Sequence, residues 1–550
     1  MTQIVFDAED TPQDVMEIGS SLRREDVISV KGIVRTRDGK PNHKLETGEI
    51  ELVAKEIEVH NRTAKLPILP DDHDADQISE EHRLTYRYID LRRPKMQRIL
   101  ALRHKITQFT RNFFADRQFI EIETPLLISP TPEGARDFIV PSRHQKGRWY
   151  ALPQSPQIFK QILMVAGCDR YIQICKCLRD EDPRADRQAE FTQIDIEMSF
   201  VDQDDVLAII SEFATSIFKE VGGMDIGELP RISWHDAMST YGSDRPDIRF
   251  ELHLEDVTDI FASTDFKVFS DAIQDGGVIK ALRVPNGATK LSRKVTDGYA
   301  EIAKTYGAGG LPVTKYKDGT FSTGVAKFVE PIKDKLVQSL GLEDGDLILF
   351  GVGSYRVACT SLGQVRLQVA KDLELIPKNT FKGLWVLDFP MFDWDEERQR
   401  WVSEHHPFTA PLEEQLALLD TDPGKCISSG YDLVINGSEV AGGSIRIHSS
   451  EIQSKVFAAL GMSEEETQTK FGFLLNALRF GAPPHGGIAF GLDRLVMMMV
   501  GTSNIRDVIA FPKTQTGADL MCKAPSEADP AHLKELGITV SVPDEATSPE

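Results

Sequence analysis

The sequence predicts an α+β protein made of several domains, one of which is inserted into another. The chain has 550 residues, which at roughly 100–200 residues per domain corresponds to about three to five folding units. Hydrophobic residues make up 41% and charged residues 27% of the chain, a composition typical of globular proteins with a large core. Strand-like alternation and helix-like periodicity follow one another along the chain. Together these observations favour several mixed domains over a single repeated unit.

Changes in composition divide the chain into five segments. The first alternates in the manner of β-strands and leads into a linker with prolines and acidic residues. Strands and helices then mix, beginning with a helix that ends at about Ala115. A later stretch is richer in glycine and lysine, has few residues suited to catalysis, and contains a predicted helix over 323–340. We interpret it as an inserted domain, with one extended domain as the alternative. The predicted segments are 1–61, 62–95, 96–244, 245–385 and 386–550.

Composition and charge argue against several classes of protein. The chain has 63 lysines and arginines against 85 aspartates and glutamates, giving a formal net charge of −22. This balance argues against general coating of nucleic acid, although a local basic face can still bind it. No apolar run approaches the roughly 18 residues that a membrane helix needs, and no secretory signal is recognisable. The six cysteines, Cys175-x-Cys177 among them, fit reduced thiols in a cytoplasmic protein.

The first candidate site is a hairpin around residues 178–197. Side chains alternate between the two faces of a strand, so Phe191, Asp195 and Glu197 share one face, and an apolar face lies opposite. The unpacked side of the hairpin therefore presents an aromatic ring, Arg179 and carboxylates. We interpret it as a nucleotide platform, on which Phe191 stacks a base and Arg179 binds a phosphate. A solvated strand face with ion pairs is the alternative.

The second candidate site is a helix that starts at Ser155-Pro156. Ser155 suits the N-cap and Pro156 the first helical position. Gln157 and Lys160 then share the side of the helix that lies opposite its apolar stripe. A lysine beside a helix start suits an anionic ligand, and an exposed polar face is the alternative.

The third candidate site is a hairpin whose two-residue loop is Asn436-Gly437, the strongest short hairpin signal. This register makes Asp432 and Glu439 diagonal neighbours on one face. Two carboxylates so close repel each other unless a cation lies between them, which indicates Mg²⁺. Two carboxylates in water are the alternative.

Arg446 follows on the same strand but falls on the wrong side of it. Simple alternation places Arg446 on the face opposite Glu439. We therefore predict a β-bulge at Gly442-Gly443 that resets the alternation and brings both side chains to one face.

The fourth candidate site is a junction between a strand of small residues and an apolar helix that has Arg494 near its start. Helix N-termini favour anions, and an arginine adds a full charge that suits a polyphosphate. An ordinary strand–helix junction with an Asp493–Arg494 pair is the alternative.

The usual phosphate and nucleophile motifs are absent from the sequence. There is no Walker A sequence, no dinucleotide glycine fingerprint after a strand, and no Gly-x-Ser-x-Gly elbow. Two arginines, an aromatic ring and paired carboxylates are what adenylate formation requires. In that reaction an amino-acid carboxylate attacks the α-phosphate of ATP, and Mg²⁺ and arginine offset the growing charge.

In this order, the four sites resemble the motifs of the class II aminoacyl-tRNA synthetases, subclass b, of the bacterial aspartyl type. Residues 119–125 resemble motif 1, the dimer-forming helix and strand. Arg179 and Glu181, with Phe191, resemble motif 2, and Arg494 resembles the end of motif 3. Residues 131–138 resemble the loop that closes over the amino acid. The resemblance runs over essentially the whole chain.

The resemblance implies a fold and a set of partners. The fold is an antiparallel sheet with flanking helices, carrying an inserted α+β domain of the bacterial type and a C-terminal extension. Residues 1–61 resemble an OB-fold anticodon-binding barrel whose first two strands are missing. The implied partners are L-aspartate, ATP with Mg²⁺, tRNA-Asp and a second copy of the chain. Whether tRNA-Asn is charged as well stays open.

The resemblance also assigns roles around the amino acid. Arg446 would pair with the side-chain carboxylate of aspartate, assisted by Lys160, and Asp195 would hold that lysine in place. Glu133 and Gln157 would engage the ammonium group. An arginine fork with a lysine selects a carboxylate and leaves neutral asparagine poorly compensated.

Around ATP, Arg179 would contact the α-phosphate and Glu181 would read the adenine amino group. Phe191 and Arg494 would lie on the two sides of the adenine, and Arg494 would also contact the γ-phosphate. The residues implied to act are Arg179, Arg494 and Glu439 in catalysis; Arg179, Glu181, Phe191, His405, His406, Glu439 and Arg494 in ATP binding; and Asp432 and Glu439 in Mg²⁺ binding.

In the N-terminal segment, Gln3, Arg37 and Glu51 match positions that read or lie near the anticodon in the family. Stacking residues on the missing strands have no counterpart, which indicates a misassigned start or a fragment. If the chain begins as given, we expect aspartate activation to be retained and discrimination of the anticodon to be weak. The alternatives are an asparagine or lysine enzyme, or a non-catalytic paralogue. Arg446 with Lys160 argues against the first two, and the retained motif arginines argue against the third.

Overall fold

A computed structural model describes residues 2–71, 77–130 and 135–541 of the chain. Contacts divide it into a first unit, Met1–Pro94, and a second unit, Lys95–Glu550. The first unit is built on an open three-stranded sheet in the order β1–β3–β2, with β1 parallel and β2 antiparallel to β3. Its elements are β1 (Gln3–Val5), α1 (Gln13–Ser20), β2 (Val27–Thr36), β3 (Ile50–Asn61), α2 (Glu80–Thr85) and α3 (Arg87–Asp90).

A long helix opens the second unit and ends at Ala115, as predicted. It buries Ile99, Ile106 and Phe113 among others, at the spacing that places them on one side of a helix. Neither this helix nor any other that the structure describes is both long and apolar enough to cross a membrane. The elements up to residue 241 are α4 (Pro94–Ala115), β4 (Ile120–Glu121), β5 (Ile139–Pro141), β6 (Trp149–Ala151), α5 (Gln157–Val165), β7 (Arg170–Leu178), β8 (Glu190–Ser199), α6 (Gln203–Glu220), β9 (Arg231–Ser233) and α7 (Trp234–Tyr241).

A separate five-stranded antiparallel sheet follows, in the order β10–β11–β14–β12–β13. Helices cover both of its faces, so its central strand is buried on both sides and reads as a continuous apolar run, Leu347-Ile348-Leu349-Phe350. Its elements are β10 (Leu254–Asp256), α8 (Lys267–Gln274), β11 (Val278–Val284), α9 (Gly287–Lys290), α10 (Arg293–Thr305), β12 (Val313–Lys317), β13 (Thr320–Ser322), α11 (Ala326–Val329), α12 (Lys333–Leu340), β14 (Leu347–Gly353) and α13 (Tyr355–Asp372).

The single helix predicted over 323–340 is wrong. The chain forms α11, a 3-10 turn over Glu330–Ile332, and then α12. Pro331 lies in that turn. Proline has no backbone N–H and its ring clashes with the carbonyl four residues earlier, so a continuous helix cannot pass through it.

The remaining strands complete an eight-stranded sheet in the order β4–β7–β8–β20–β19–β18–β15–β9, antiparallel except at β4–β7 and β15–β9. Four of the candidate site residues lie on strands of this sheet: Phe191 and Asp195 on β8, Asp432 on β18 and Glu439 on β19. The remaining elements are β15 (Gly383–Leu387), β16 (Phe392–Asp395), β17 (Arg400–Ser403), α14 (Leu418–Thr421), β18 (Gly430–Ile435), β19 (Ser438–Ile445), α15 (Ser450–Ala459), α16 (Glu464–Leu478), β20 (His485–Gly491), α17 (Leu492–Val500) and α18 (Pro530–Leu536).

A buried arginine holds the segment that leads into the five-stranded sheet. Arg366, on α13, is 1% exposed and donates to three backbone carbonyls, those of Asp247, Phe250 and Leu252. Its guanidinium also lies 4.0 Å from the centre of the Phe250 ring. Burial lowers the pKa of Arg366 to about 10. One side chain therefore satisfies three carbonyls of an irregular segment.

We predict that Arg366→Met destabilises the protein by about 2–4 kcal/mol, because three carbonyls lose their donor in the interior. The matched control is Arg293→Met on α10, whose side chain is 93% exposed and whose loss should change stability by less than about 0.5 kcal/mol. The free energy of unfolding is measured by chemical denaturation. Equal stability of the two variants would contradict the role given to Arg366.

Candidate active site

The face of β7 and β8 that was predicted as a platform lines a cavity. Arg179 lies with its guanidinium carbon 5.1 Å from the centre of the Phe191 ring. Together with Glu181 and Arg494, these side chains line a cavity of about 190 Å³. An aromatic face and two guanidinium groups in one cavity suit a planar base and its phosphates.

A second cavity, of about 420 Å³, shares Arg179 with the first. Lys160 and Arg446 line it and are 1% and 2% exposed. The Lys160 ammonium lies 2.7 Å from Oδ1 of Asp195 and 3.2 Å from Oε2 of Glu197. Arg446 donates through Nε and Nη2 to the two oxygens of Glu197, at 3.0 and 3.2 Å. The structure thus brings two buried cations and two buried carboxylates into one cluster.

Glu197 lies at the centre of this cluster, although no role was predicted for it from the sequence. The signal was present, because Glu197 shares a strand face with Phe191 and Asp195 at the period of two. That face is buried, with Asp195 at 1% and Glu197 at 0% exposure, so the solvated-face alternative does not hold. A carboxylate is stable at such depth only when it is paired with cations.

The environments of the two carboxylates differ. Burial opposes ionisation of Glu197, but Arg446 and then Lys160 outweigh burial and lower its pKa. Burial raises the pKa of Asp195, and Lys160 offsets only part of this effect. Oδ2 of Asp195 is buried and has no hydrogen-bond partner among the described residues.

His406 also contacts the Arg446 guanidinium. Its Nε2 lies 2.7 Å from Nη1 of Arg446, which also donates to Ser444 at 2.6 Å. Burial first, and then the Arg446 charge, hold the pKa of His406 well below its usual value. His406 is thus a neutral ring that packs against the end of the Arg446 side chain, and its Nδ1 accepts from the backbone N–H of Phe408 at 3.2 Å. The neighbouring His405 lies with Nε2 3.4 Å from Oδ1 of Asp432.

The hairpin register predicted for β18 and β19 is confirmed, with Ile435 opposite Ser438 and Val434 opposite Glu439. The predicted bulge at Gly442-Gly443 is wrong in position. The register shifts where Leu433 pairs with Ala441, so that Val440 is the additional residue. The prediction that a bulge lies between Glu439 and Arg446 is confirmed, and such a bulge brings the two side chains to one face. Strand alternation alone does not locate it.

Asp432 and Glu439 converge over Gly442. A Cβ atom added to Gly442 would lie 2.8 Å from Oδ1 of Asp432 and 3.2 Å from Oε1 of Glu439, so only glycine leaves both carboxylates in place. Burial, and then repulsion from Glu439, raise the pKa of Asp432 to about 6. The unfavourable proximity of two acidic groups is what a bound cation would relieve.

Arg494 lies at the start of α17 and reaches back over the hairpin. Its Nη1 donates to the backbone carbonyl of Glu439 at 2.6 Å, and Nη2 lies 3.7 Å from Asp186. Asp493 pairs instead with Arg103 at 2.6 Å, so the predicted alternative of an Asp493–Arg494 pair does not hold.

The predicted helix start is one residue too early, because α5 begins at Gln157 with Pro156 at its N-cap. Ser155 Oγ accepts from the Gln157 backbone N–H at 3.3 Å. Its polar side is not solvated, because Gln157 and Lys160 are 6% and 1% exposed and both line the cavity with Arg446. Local sequence could not distinguish this side from an exposed one, since the elements that cover it are distant in the chain.

The described part of the chain does not place every predicted residue in this site. Glu133 lies outside the described residues. Gln3 and Glu51 lie together in the first unit, with Gln3 Nε2 3.4 Å from the Glu51 carboxylate. Arg35, which the sequence analysis did not assign, donates to that carboxylate at 2.9 Å, whereas Arg37 has a buried Nη1 without a hydrogen-bond partner in the part of the chain described.

We predict that Glu197→Gln lowers the free energy of unfolding by about 3–5 kcal/mol at neutral pH, because it leaves two buried cations short of an anion. The pKa of Glu197 is lower in the folded chain than its ordinary value of 4.5. Its stabilisation is therefore complete above that value, and the deficit of the variant narrows as the pH falls through the folded pKa. Denaturant unfolding at several pH values measures both effects.

Glu190→Gln is the matched control, since Glu190 lies on the same strand but pairs with Lys176 at the surface. Exposed pairs contribute about 0–1 kcal/mol. Similar losses in the two variants, or a deficit for Glu197→Gln that does not change with pH, would contradict this account of the cluster.

Comparison with known proteins places this arrangement in a family. Residues 79–515 match the model of the class II tRNA synthetases (D, K and N). The chain is 48% identical to an aspartate–tRNA(Asp/Asn) ligase of Geotalea uraniireducens and 49% identical to an aspartate–tRNA ligase of Halalkalibacterium halodurans. Each match covers 98% of this chain and 91% of the relative.

Solved structures share the fold at low sequence identity. An asparaginyl-tRNA synthetase from Pyrococcus horikoshii has a TM-score of 0.56 at 16% identity, over 93% of this chain and 88% of that one. An aspartyl-tRNA synthetase from Entamoeba histolytica has a TM-score of 0.55 at 18% identity, over 92% of this chain and 81% of that one. The chain belongs to the class II tRNA synthetases, within the group of the bacterial aspartate–tRNA ligases.

Proposed function

We propose that this chain activates L-aspartate with ATP and transfers the aspartyl group to tRNA-Asp. An oxygen of the α-carboxylate of aspartate attacks the α-phosphorus of ATP. The bond from that phosphorus to the α–β bridging oxygen breaks, and pyrophosphate leaves. The 3′-terminal ribose of the tRNA then attacks the aspartyl carbonyl and releases AMP. No protein nucleophile is needed, so the chain acts by positioning the reactants and compensating charge.

The observation that carries this proposal is the pair of buried cations in one cavity. Lys160 and Arg446 line the same cavity as Arg179, which joins it to the cavity of Phe191. Arg446 uses Nε and Nη2 for Glu197, and its Nη1 contacts Ser444 and His406. A carboxylate of the substrate would bind at the end-on edge, Nη1 and Nη2. Nη1 can reach that carboxylate by exchanging its contact with Ser444. A neutral side chain in this place would form weaker hydrogen bonds with the guanidinium than a carboxylate does.

For ATP, we propose that the adenine stacks on Phe191 with Arg494 on its other side, and that Glu181 accepts from the adenine amino group. Arg179 would contact the α-phosphate. The support is that all four side chains line one cavity. His405 and His406 would lie near the ATP site at the edge of the second cavity.

Mg²⁺ fits between Asp432 and Glu439. The two carboxylates converge over Gly442, and Mg²⁺ is commonly bound by one or two carboxylates together with phosphates of the substrate. Groups of three or more His, Cys, Asp or Glu side chains that could hold a metal are not found in the part of the chain that is described. The bound ion would offset charge on the leaving pyrophosphate.

We propose a homodimer that forms through motif 1. Ile120 on β4 is 58% exposed, and Leu126 and Leu127 just after it are 54% and 53% exposed. Apolar side chains in such number on one segment indicate a contact surface. We also propose a cytoplasmic location, which the six free cysteines support.

The first unit would bind the anticodon, with Gln3, Arg37 and Glu51 facing its bases or backbone. The Glu51 carboxylate accepts from Gln3 and Arg35. It would therefore hold these two donors in place for contact with the anticodon. Residues 245–385 are proposed as the inserted domain, because a separate sheet forms there. Charging of tRNA-Asn besides tRNA-Asp is a further candidate, since one relative carries the name aspartate–tRNA(Asp/Asn) ligase.

We predict that the protein supports ATP–pyrophosphate exchange with L-aspartate, and at most traces of exchange with asparagine or lysine. Replacing a buried charge partner costs several kcal/mol, which corresponds to a preference of about 10³-fold or more in exchange rate. Exchange is measured for the three amino acids in parallel. Equal or better exchange with asparagine or lysine would overturn the assignment of substrate, and absence of exchange with all three would indicate a non-catalytic paralogue.

A further inference from the structure

Three buried side chains form a line of hydrogen bonds that ends at the proposed aspartate cavity. Gln157 and Gln161 lie one turn apart on α5, and His485 is the first residue of β20. They are 6%, 0% and 0% exposed. Nε2 of Gln157 lies 3.2 Å from Oε1 of Gln161, and Nε2 of Gln161 lies 3.3 Å from Nε2 of His485. We call these three residues the amide relay.

The direction of every bond in the relay is fixed from its far end. Nδ1 of His485 lies 2.8 Å from the backbone carbonyl of Pro483, and a carbonyl can only accept, so Nδ1 carries the proton. Burial, together with the Arg446 charge, lowers the pKa of His485 and favours the neutral ring. Nε2 of a neutral ring that is protonated at Nδ1 has only a lone pair to offer. Gln161 must therefore donate its amide N–H to it.

The direction of the Gln161–His485 bond also determines the direction of the Gln157–Gln161 bond, which ends at the cavity. Because the NH₂ group of Gln161 points to His485, its carbonyl oxygen points to Gln157 and requires a donor there. Gln157 must therefore present an N–H of its own NH₂ group to Gln161, which leaves Oε1 as the acceptor atom that it can turn to the cavity. No donor from the described residues contacts Oε1 of Gln157, and Gln157 lines the cavity together with Lys160 and Asp195.

We propose that Gln161 and His485 are positioning residues that hold Gln157 as an acceptor for the ammonium group of the amino acid. The inference rests on the proposed function. An amide placed the other way round would present N–H donors to the ammonium group and repel it. Together with the unpartnered Oδ2 of Asp195, the oxygen of Gln157 would form an acceptor pair beside the cation-lined end of the cavity. The far end of the relay thus determines whether the cavity accepts an α-amino group.

The test compares L-aspartate with succinate, which has the same two carboxylates and lacks the ammonium group. Dissociation constants for both ligands are measured by calorimetry on the full chain, with His485→Leu and Gln161→Met as variants. Each variant should weaken aspartate binding by about tenfold, a fraction of the value of one hydrogen bond to a charged group, and should change succinate binding less than about twofold. In each variant, the ratio of the succinate to the aspartate dissociation constant should therefore be smaller than in the wild type.

Two further variants separate positioning from general damage. His485→Gln can place an amide oxygen near the position of Nε2 and should restore most of the preference. Gln453→Met removes another fully buried glutamine of the same unit, one that donates to Pro407, and should leave the preference at the wild-type value.

Equal weakening of aspartate and succinate would overturn the relay, because it would show damage to the carboxylate pocket instead. An unchanged preference in both His485→Leu and Gln161→Met would overturn it as well, and if one variant does not fold, the other still decides. Failure of the wild type to bind aspartate would refute the proposed function and not the relay specifically. The outcomes of the two proposals are therefore distinguishable.

Discussion

Glu197 lies between Arg446 and Lys160, and the site is built around this contact between one carboxylate and two cations. A guanidinium and an ammonium group cannot be buried next to each other unless anions balance their charge. Glu197 and Asp195, two residues apart on β8, supply that balance. The four side chains come from α5, from β8 and from Arg446, the residue after β19. The cluster therefore holds three distant parts of the chain together.

The balance of charge explains how the site can select its substrate. The two carboxylates stabilise the cations in the absence of ligand, but Arg446 keeps an edge for one more carboxylate. In the proposed function, a carboxylate side chain accepts charge-assisted hydrogen bonds from that edge, and a neutral amide of the same shape cannot accept them through its NH₂ group. His406 is neutral, and the amide relay consists of uncharged side chains, so neither adds a charge to the pocket. Selectivity then follows from charge rather than from size, which suits the discrimination of aspartate from asparagine.

Much of the site could be predicted from local patterns in the sequence. The Asn436-Gly437 loop determined the register of its hairpin, and the period of two brought Phe191 and Asp195 to one face. The position of the bulge at Val440 could not be predicted, because any extra residue between Glu439 and Arg446 resets the alternation equally well. The burial of the polar side of α5 could not be predicted either, because the strands that cover it lie elsewhere in the chain. The break at Pro331, by contrast, had a local signal.

The most direct test of this account is a crystal structure of the protein with a non-hydrolysable analogue of aspartyl-adenylate. The account predicts that the side-chain carboxylate of the analogue contacts Arg446 while Glu197 keeps both of its hydrogen bonds to that guanidinium, and that the adenine stacks on Phe191. A carboxylate bound away from Arg446, or a Glu197 side chain displaced from it by the ligand, would contradict the claim that Glu197 preorganises the pocket.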